Sequence, residues 1–386
     1  MYKKYYQHFL TANIGVQHYA SHSHHYWPDV TREAMLQYWD DSAKYVDAKW
    51  NYFFSEKVPA TQKSIADILR LSNPEQIVFA PNTHELLFRV ISCFDLKKSF
   101  RVLTTDSEFH SFDRQIERLK EDSSVHVDKI ATLPFKSFEI RFIEAIQKNK
   151  YELIFLSQVF FNSGLAVQSL ENIVRAVQDS NTVIVVDGYH GFMALPTDLS
   201  SLEDRIFYLG GSYKYAQGGE GCCFMHVPKN SALRPLYTGW FAGFSELTQK
   251  KGENVSYPNN GLRFAGSTMD YSALYRLQAV LQLFEKEGLT VERMHGHVQQ
   301  LQKNFLAHLK DLNSPILNEK VILKFDANYH GHFFSFEMAS EESAKKVSEF
   351  LLQHQIKTDY RGNRLRFGFG IYQNDCIDLT VINSFS

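Results

Sequence analysis

Two stretches of this sequence carry residue types that could do chemistry together. "TVIVVDGYH" ends an apolar run on Asp187, with His190 three residues later, and "RIFYLGGSYKY" ends the next run on Tyr213 and Lys214. A carboxylate emerging from apolar residues needs a partner, because an unpaired buried charge is costly. Asp187 can be a helix cap or an ion-pair partner. It can also keep a heteroaromatic nitrogen protonated, the task of the carboxylate that faces the pyridine of pyridoxal phosphate (PLP). Lys214 can be a solvated loop residue, or an amine that forms a Schiff base with an aldehyde, its pKa lowered by desolvation and nearby cations. Packing requires neither residue, so their coincidence at neighbouring strand ends favours the second reading of both.

The elements that must position these residues read as an α/β sheet. "EQIVFAP", "RVLTTDS", "ELIFLSQVF", "NTVIVVDGYH", "RIFYLGGS" and "GCCFMHVP" read as strands. "ATQKSIADILRL", "NTHELLFRVISCF", "DRQIERLKE" and "LENIVRAVQDS" read as helices, the second starting at an Asn or Thr cap. Continuous apolar runs such as "VIVV" suit strands covered on both faces, and strand–helix alternation implies a mostly parallel sheet with helices on both faces. Ligands in such sheets bind beyond the carboxyl ends of the strands.

After residue 265 the pattern changes to long amphipathic helices and alternating strands, a smaller α+β lobe. The expected divisions are an N-terminal segment 1–50 that contributes to the small lobe and substrate pocket, a large α/β domain 51–265, and a small domain 266–386. The phenylalanines of "GHFFSFEM" read as core. Alternation puts Arg364 and Arg366 on one face, with one of the nearby arginines free to touch substrate.

Composition narrows the class. The 386 residues suffice for a large core, and 44% hydrophobic with 14% aromatic content marks a folded protein. A net charge of −2, from 41 basic and 43 acidic residues, gives no pull toward nucleic acid or an anionic membrane. No apolar run has the length of a membrane span, and "MYKKYYQHFL" lacks the apolar core of a signal peptide. The four cysteines show no paired spacing, and Cys222 and Cys223 read as small core residues. A cytoplasmic home is the resulting expectation. No cysteine or carboxylate pattern completes a metal site around His22, His24 and His25, so no metal is expected; His24 is placed at the pocket mouth, recognising substrate.

The Asp-Gly-Tyr-His element at 187–190 and the Ser-Tyr-Lys-Tyr element at 212–215 resemble the core of fold-type I PLP enzymes of the class V aminotransferase group, and within it kynureninase. Further segments match in order. "APNTHEL" places Asn82 and Thr83 at a helix N-terminus suited to phosphate. The resemblance implies that Phe109 stacks on the pyridine, that Ser111 and Ser157 are polar contacts, and that His190 steadies Asp187 and the ring. It likewise implies that the Trp240 indole reaches the phosphate and that Ser267 or Thr268 reaches it across a homodimer interface. Arg366 becomes the clamp on the substrate α-carboxylate. Lys214 holds PLP and then acts as acid and base, with Tyr213 placed to donate a proton and touch phosphate.

The activity so implied is hydrolysis of a kynurenine-like amino acid between Cβ and Cγ. A class V aminotransferase or a β-eliminating lyase is the alternative, and a non-catalytic binding protein comes last. A cysteine desulfurase, another branch of the fold, needs a nucleophilic cysteine on a mobile loop. Cys376 in "NDCIDL" sits in an apolar, helix-like context, which counts against that branch.

Overall fold

The structure, a computed structural model, describes residues 2–122, 124–246, 254–323, 329–374 and 377–385. Thirteen strands are assigned among them. They are β1 (Gln17–His18), β2 (Ile77–Ala80), β3 (Phe100–Thr105), β4 (Val125–Ile130), β5 (Leu153–Ser157), β6 (Val183–Asp187), β7 (Ile206–Gly211), β8 (Cys223–His226), β9 (Ile322–Leu323), β10 (Phe333–Glu337), β11 (Ile356–Lys357), β12 (Asp359–Arg361) and β13 (Arg364–Gly368).

Seven of them form the main sheet in the order β2-β8-β7-β6-β5-β3-β4. β4, β3, β5, β6 and β7 run parallel, while β8 is antiparallel to both its neighbours. The mostly parallel expectation holds, and so does its cause. β5 and β7 are buried at every position and β6 at all but its last, as strands sandwiched between helical layers must be. Register pairs Ser157 with Asp187 and Asp187 with Leu209, so β5 and β6 end level and β7 runs two residues further, to Gly211. That common edge is where the candidate residues gather.

The second sheet, β12-β13-β10-β9, is antiparallel. Phe333, Phe334 and Phe336 of β10 are buried in it as expected. Arg364 and Arg366 do share a face: each donates through Nη1 to a carbonyl of one loop, Arg364 to Asn162 and Arg366 to Phe161. The N-terminal segment joins this lobe. β1 pairs in parallel with β11, and Ala20 bridges Gly368, which carries residues 22–25 toward the main sheet's edge.

The sequence reading missed the short strands β1, β11 and β12, the short helices Gln7–Ala12 and Lys49–Tyr52, and three longer elements. The helix Val30–Tyr45 buries only Thr31, Ala34 and Asp41, so it has no broad apolar stripe to reveal it. Asp41 there accepts a hydrogen bond from Tyr275 at 2.8 Å, tying it to the helix Ser272–Lys286. The strand β4 is a sheet edge with one buried position, and the helix Phe138–Lys148 buries three. The helix in "LENIVRAVQDS" is shorter than its pattern, spanning Leu170–Ala176, because Val177 turns to extended backbone. No described helix is long and apolar enough to cross a membrane.

Candidate active site

At the common strand edge lies a cavity of about 290 Å³. Its floor is the main sheet. Asp187 opens onto it from the end of β6, and its Oδ1 accepts the Tyr189 backbone N–H at 2.9 Å. Lys214 comes from the turn after β7 and is 8% exposed, so it is no surface lysine. That turn is held shut by Gly218 N–H donating to Ser212 O at 2.7 Å and Gln217 N–H donating to Lys214 O at 3.0 Å. Gly219 and Gly221 have φ of +73° and +100°, and a Cβ on Gly219 would meet the Trp27 ring. The glycines beside the lysine are therefore required by backbone conformation and close packing.

Electrostatics make the lysine reactive. Burial drives the Lys214 ammonium down to about 7; the charge of Asp187 opposes this and Arg366 adds to it. The amine is in hydrogen-bond contact with the His190 ring. That imidazole is held well below its ordinary value, first by burial and then by Lys214 and Arg366, so it is neutral. Burial raises Asp187, and the Tyr189 N–H and Lys214 charge pull the other way. A buried carboxylate of this kind is best satisfied by one more cation facing it.

Lys214 Nζ lies 5.7 Å from the centre of the Phe109 ring and 5.3 Å from that of Tyr189. Phe109 lines the cavity and is 42% exposed there, an aromatic face left available for stacking. At the opposite end, Asn82 caps the helix Thr83–Ile91 by accepting the Glu85 N–H at 2.9 Å. Asn82, Thr83 and Ser111 all line the cavity, as do Ser157, His190 and Tyr213. Burial raises the Tyr213 hydroxyl, which therefore keeps its proton.

The mouth is built by the small lobe and the N-terminal segment. Arg366 is 3% exposed. Its Nε donates to Asp359 Oδ1 at 2.9 Å, its Nη2 pairs with Asp359 Oδ2, and its Nη1 donates to the Phe161 carbonyl. On the other side, His22 Nε2 lies 2.7 Å from Asp359 Oδ1, and the His22 ring stacks on Phe333 at 4.7 Å. His22 and Arg366 together hold the Asp359 carboxyl well below the usual carboxylate range. Arg361 also lines the cavity, so two arginines reach it where one was expected.

Four expected site residues sit elsewhere in the single chain. His24 is exposed and packs edge-on against Tyr213 at 5.3 Å; His22 and Ser23 are the members of that segment that line the cavity. Trp240 Nε1 donates to Thr268 Oγ1 at 3.2 Å. Ser267 and Thr268 line a second cavity of about 210 Å³ with Arg89 and Glu85. The resemblance thus brings Trp240 and Thr268 together, away from the main cavity. Two buried acids, Asp359 and Glu108, were missed. The signal for Asp359 was its alternation with Arg361 in "TDYRGNRLRF"; for Glu108 it was an acid beside the stacking candidate in "SEFH".

The residues present fit PLP. The Asp187 carboxylate opens onto the cavity holding one hydrogen bond, from the Tyr189 N–H, a buried amine is partly neutral near pH 7, an aromatic face is free, and a helix N-terminus lies across the cavity. Fold and site together define a fold-type I PLP enzyme. The chain belongs to the class V aminotransferase family, whose model matches residues 27–363. Among curated proteins it resembles the cysteine desulfurases of Yersinia pestis and Yersinia pseudotuberculosis, each 21% identical over 264 residues. The match takes in 67% of this chain and spans 63% of those relatives' length. Two solved structures of C-DES share the fold at 18% identity. One is a mutant with glycine covalently linked to the PLP cofactor, with a TM-score of 0.80 over 98% of this chain and 97% of that one. The other is the cystine C–S lyase bound to its product cysteine persulfide, with a TM-score of 0.79 over 97% of each chain. An apo cysteine desulfurase from Thermococcus onnurineus NA1 matches with a TM-score of 0.75, at 18% identity over 97% of this chain and 94% of that one. These relatives do not carry the kynureninase resemblance: the desulfurases come from the branch that the setting of Cys376 counted against, and the cystine C–S lyase is of the kind named as the lyase alternative. Cys376 lies outside the described residues.

Proposed function

We propose that this chain is a PLP-dependent lyase that eliminates a leaving group from the β-carbon of a sulfur-bearing amino acid of the cysteine or cystine type. The observation that carries the reading is the Lys214 amine, buried among Asp187, His190 and Arg366 with its pKa brought to about 7. When bound, PLP supplies an electron sink for the electrons released at the substrate α-carbon. Asp187 keeps a proton on the ring nitrogen that faces it. Arg366, oriented by Asp359 and the Phe161 carbonyl, holds the α-carboxylate with its remaining N–H groups. Lys214 Nζ removes the α-proton, and the neutral His190 ring steadies that amine. Tyr213 keeps its hydroxyl proton and can donate it within the cavity.

The sulfur assignment rests on the relatives, and the elimination assignment on the cysteines. Cys223 lines the cavity, yet burial pushes its thiol up to about 12 and it donates to the Tyr189 hydroxyl at 3.4 Å. A thiol in that state is no nucleophile. We also propose a homodimer in which Ser267, Thr268 and the Trp240 indole bonded to it serve the partner's phosphate.

Product analysis tests the activity. With PLP-loaded protein, cysteine or cystine should yield pyruvate and ammonia in equal amounts. Alanine with a persulfide on the protein would instead make it a desulfurase working through Cys376. Alanine released from kynurenine would restore the hydrolase reading, and no turnover of any of the three would overturn the sulfur assignment.

A further inference from the structure

Behind Ser157, on the side away from the cavity, lies a carboxyl group that the chemistry above does not use. Glu108 belongs to the turn between β3 and the helix His110–Asp122, and it is buried. Its two oxygens have unequal surroundings. Oε1 accepts the Ser157 backbone N–H at 3.2 Å and the Thr105 hydroxyl at 2.6 Å. The Thr105 oxygen also accepts the Ser107 N–H at 3.1 Å, which leaves its proton available to Glu108. Oε2 meets only the Ser157 hydroxyl, at 2.5 Å, and that group can either donate or accept. One obligate N–H donor on Oε1 and a reversible hydroxyl as the one partner of Oε2 leave room for a carboxylic acid, carbonyl at Oε1 and hydroxyl at Oε2.

The charges around the group agree. No cation pairs with Glu108 among the described residues; the charge that acts on it is that of Asp187, which is paired in register with Ser157. Lys214 faces Asp187 from the β7 turn, His190 contacts Lys214, and Asp106, on Glu108's own turn, accepts from Ser107 and Thr132. Two buried acids at one strand edge cannot both ionise cheaply, and Asp187 is the one a ring cation would stabilise. Burial raises Glu108 to about 7 even against the Ser157 and Thr105 hydrogen bonds.

Resting on the PLP reading, we propose that Glu108 is a positioning residue that carries a proton in the loaded protein. By donating to Ser157 Oγ it frees the serine hydroxyl hydrogen to turn into the cavity, toward an acceptor oxygen on the cofactor. Ionisation of Glu108 reverses this, drawing the Ser157 hydrogen back and presenting only lone pairs to the cavity. The acid thus sets the hydrogen-bond polarity of a wall it does not itself reach.

The experiment is a pH titration of the visible absorbance after adding PLP to wild type, Glu108→Gln and Ser157→Ala. Wild type should show an inflection near neutral pH. Glu108→Gln, whose amide donates to Ser157 at every pH, should keep the low-pH spectrum throughout, and Ser157→Ala should lose the same inflection. An unchanged inflection in Glu108→Gln overturns the proposal. If wild type takes up no PLP, the cofactor reading fails instead. An infrared difference between apo wild type and apo Glu108→Gln remains decisive in that case. A protonated-carboxyl band below pH about 7 supports the assignment, and its absence rejects it.

Discussion

The floor and the mouth of the cavity are built in different ways. Floor residues Ser157 and Asp187 are paired in register at the ends of adjacent parallel strands, and Lys214 follows in the backbone-bonded turn after the next one. The mouth joins His22 to Asp359 and Asp359 to Arg366, bringing the N-terminal segment onto β12 and β13 of the small lobe through side-chain contacts. Changing a floor side chain leaves the sheet's backbone hydrogen bonds intact, whereas the mouth's geometry depends on each partner. The floor should therefore answer substitutions through chemistry, and the mouth through substrate affinity.

The largest effect should come from the floor. Lys214→Ala should lose the visible absorbance of bound PLP and reduce turnover by about 10³-fold or more, with the protein still folded. Retained turnover would remove the lysine from the chemistry. In the wild-type apoprotein, PLP uptake needs the neutral amine. Its rate should climb about tenfold per pH unit below about 7 and level off above, as followed by stopped-flow absorbance.

Glu108 gives a stability test of the same floor. Its folded-state value of about 7 lies above the ordinary 4.5, so the folded protein keeps a proton that the unfolded chain releases. The wild type should lose stability as pH rises through that interval, and the loss should be complete above about 7. Glu108→Gln has no such loss, so its stability relative to wild type should rise over the same window by up to about 3 kcal/mol. Denaturant melts at the two ends of the window measure it, and a pH-independent difference would mean that Glu108 is ionised throughout.

The mouth should respond more mildly. Asp359→Asn keeps the shape beside Arg366 but removes the charge that orients it. KM should rise about tenfold, with kcat and the PLP spectrum near wild type. A fall in kcat alone would move Asp359 into the chemistry. Smallest of all, His24→Ala should change KM less than His22→Ala, because His24 packs outside on Tyr213 while His22 supports Asp359.

The same division explains what could be read before folding. Asp187 and Lys214 were legible because apolar runs mark strands and strands deliver polar residues at their ends. Trp240, Ser267 and Thr268 came from resemblance alone; within one chain Ser267 and Thr268 line a second cavity with Arg89, and Trp240 donates to Thr268. His24 was chosen over His22 because a sequence cannot tell which histidine of "SHSHH" turns inward; the bridge from Ala20 to Gly368 decides that. The helix Val30–Tyr45 stayed hidden because scattered contacts, Asp41 to Tyr275 and Tyr38 to Phe53 and Tyr275, anchor it where an apolar stripe would have announced it.

By itself, then, the sequence determined the parallel sheet and pointed to Asp187 and Lys214 at its edge, since hydrophobic period and residue type are local properties that survive in a string. Tertiary structure alone decided that Asp359 aims Arg366 and that Glu108 stands behind Ser157. Hydrogen bonds across neighbouring strands or between distant loops leave no periodic trace; only the folded register brings their atoms within reach.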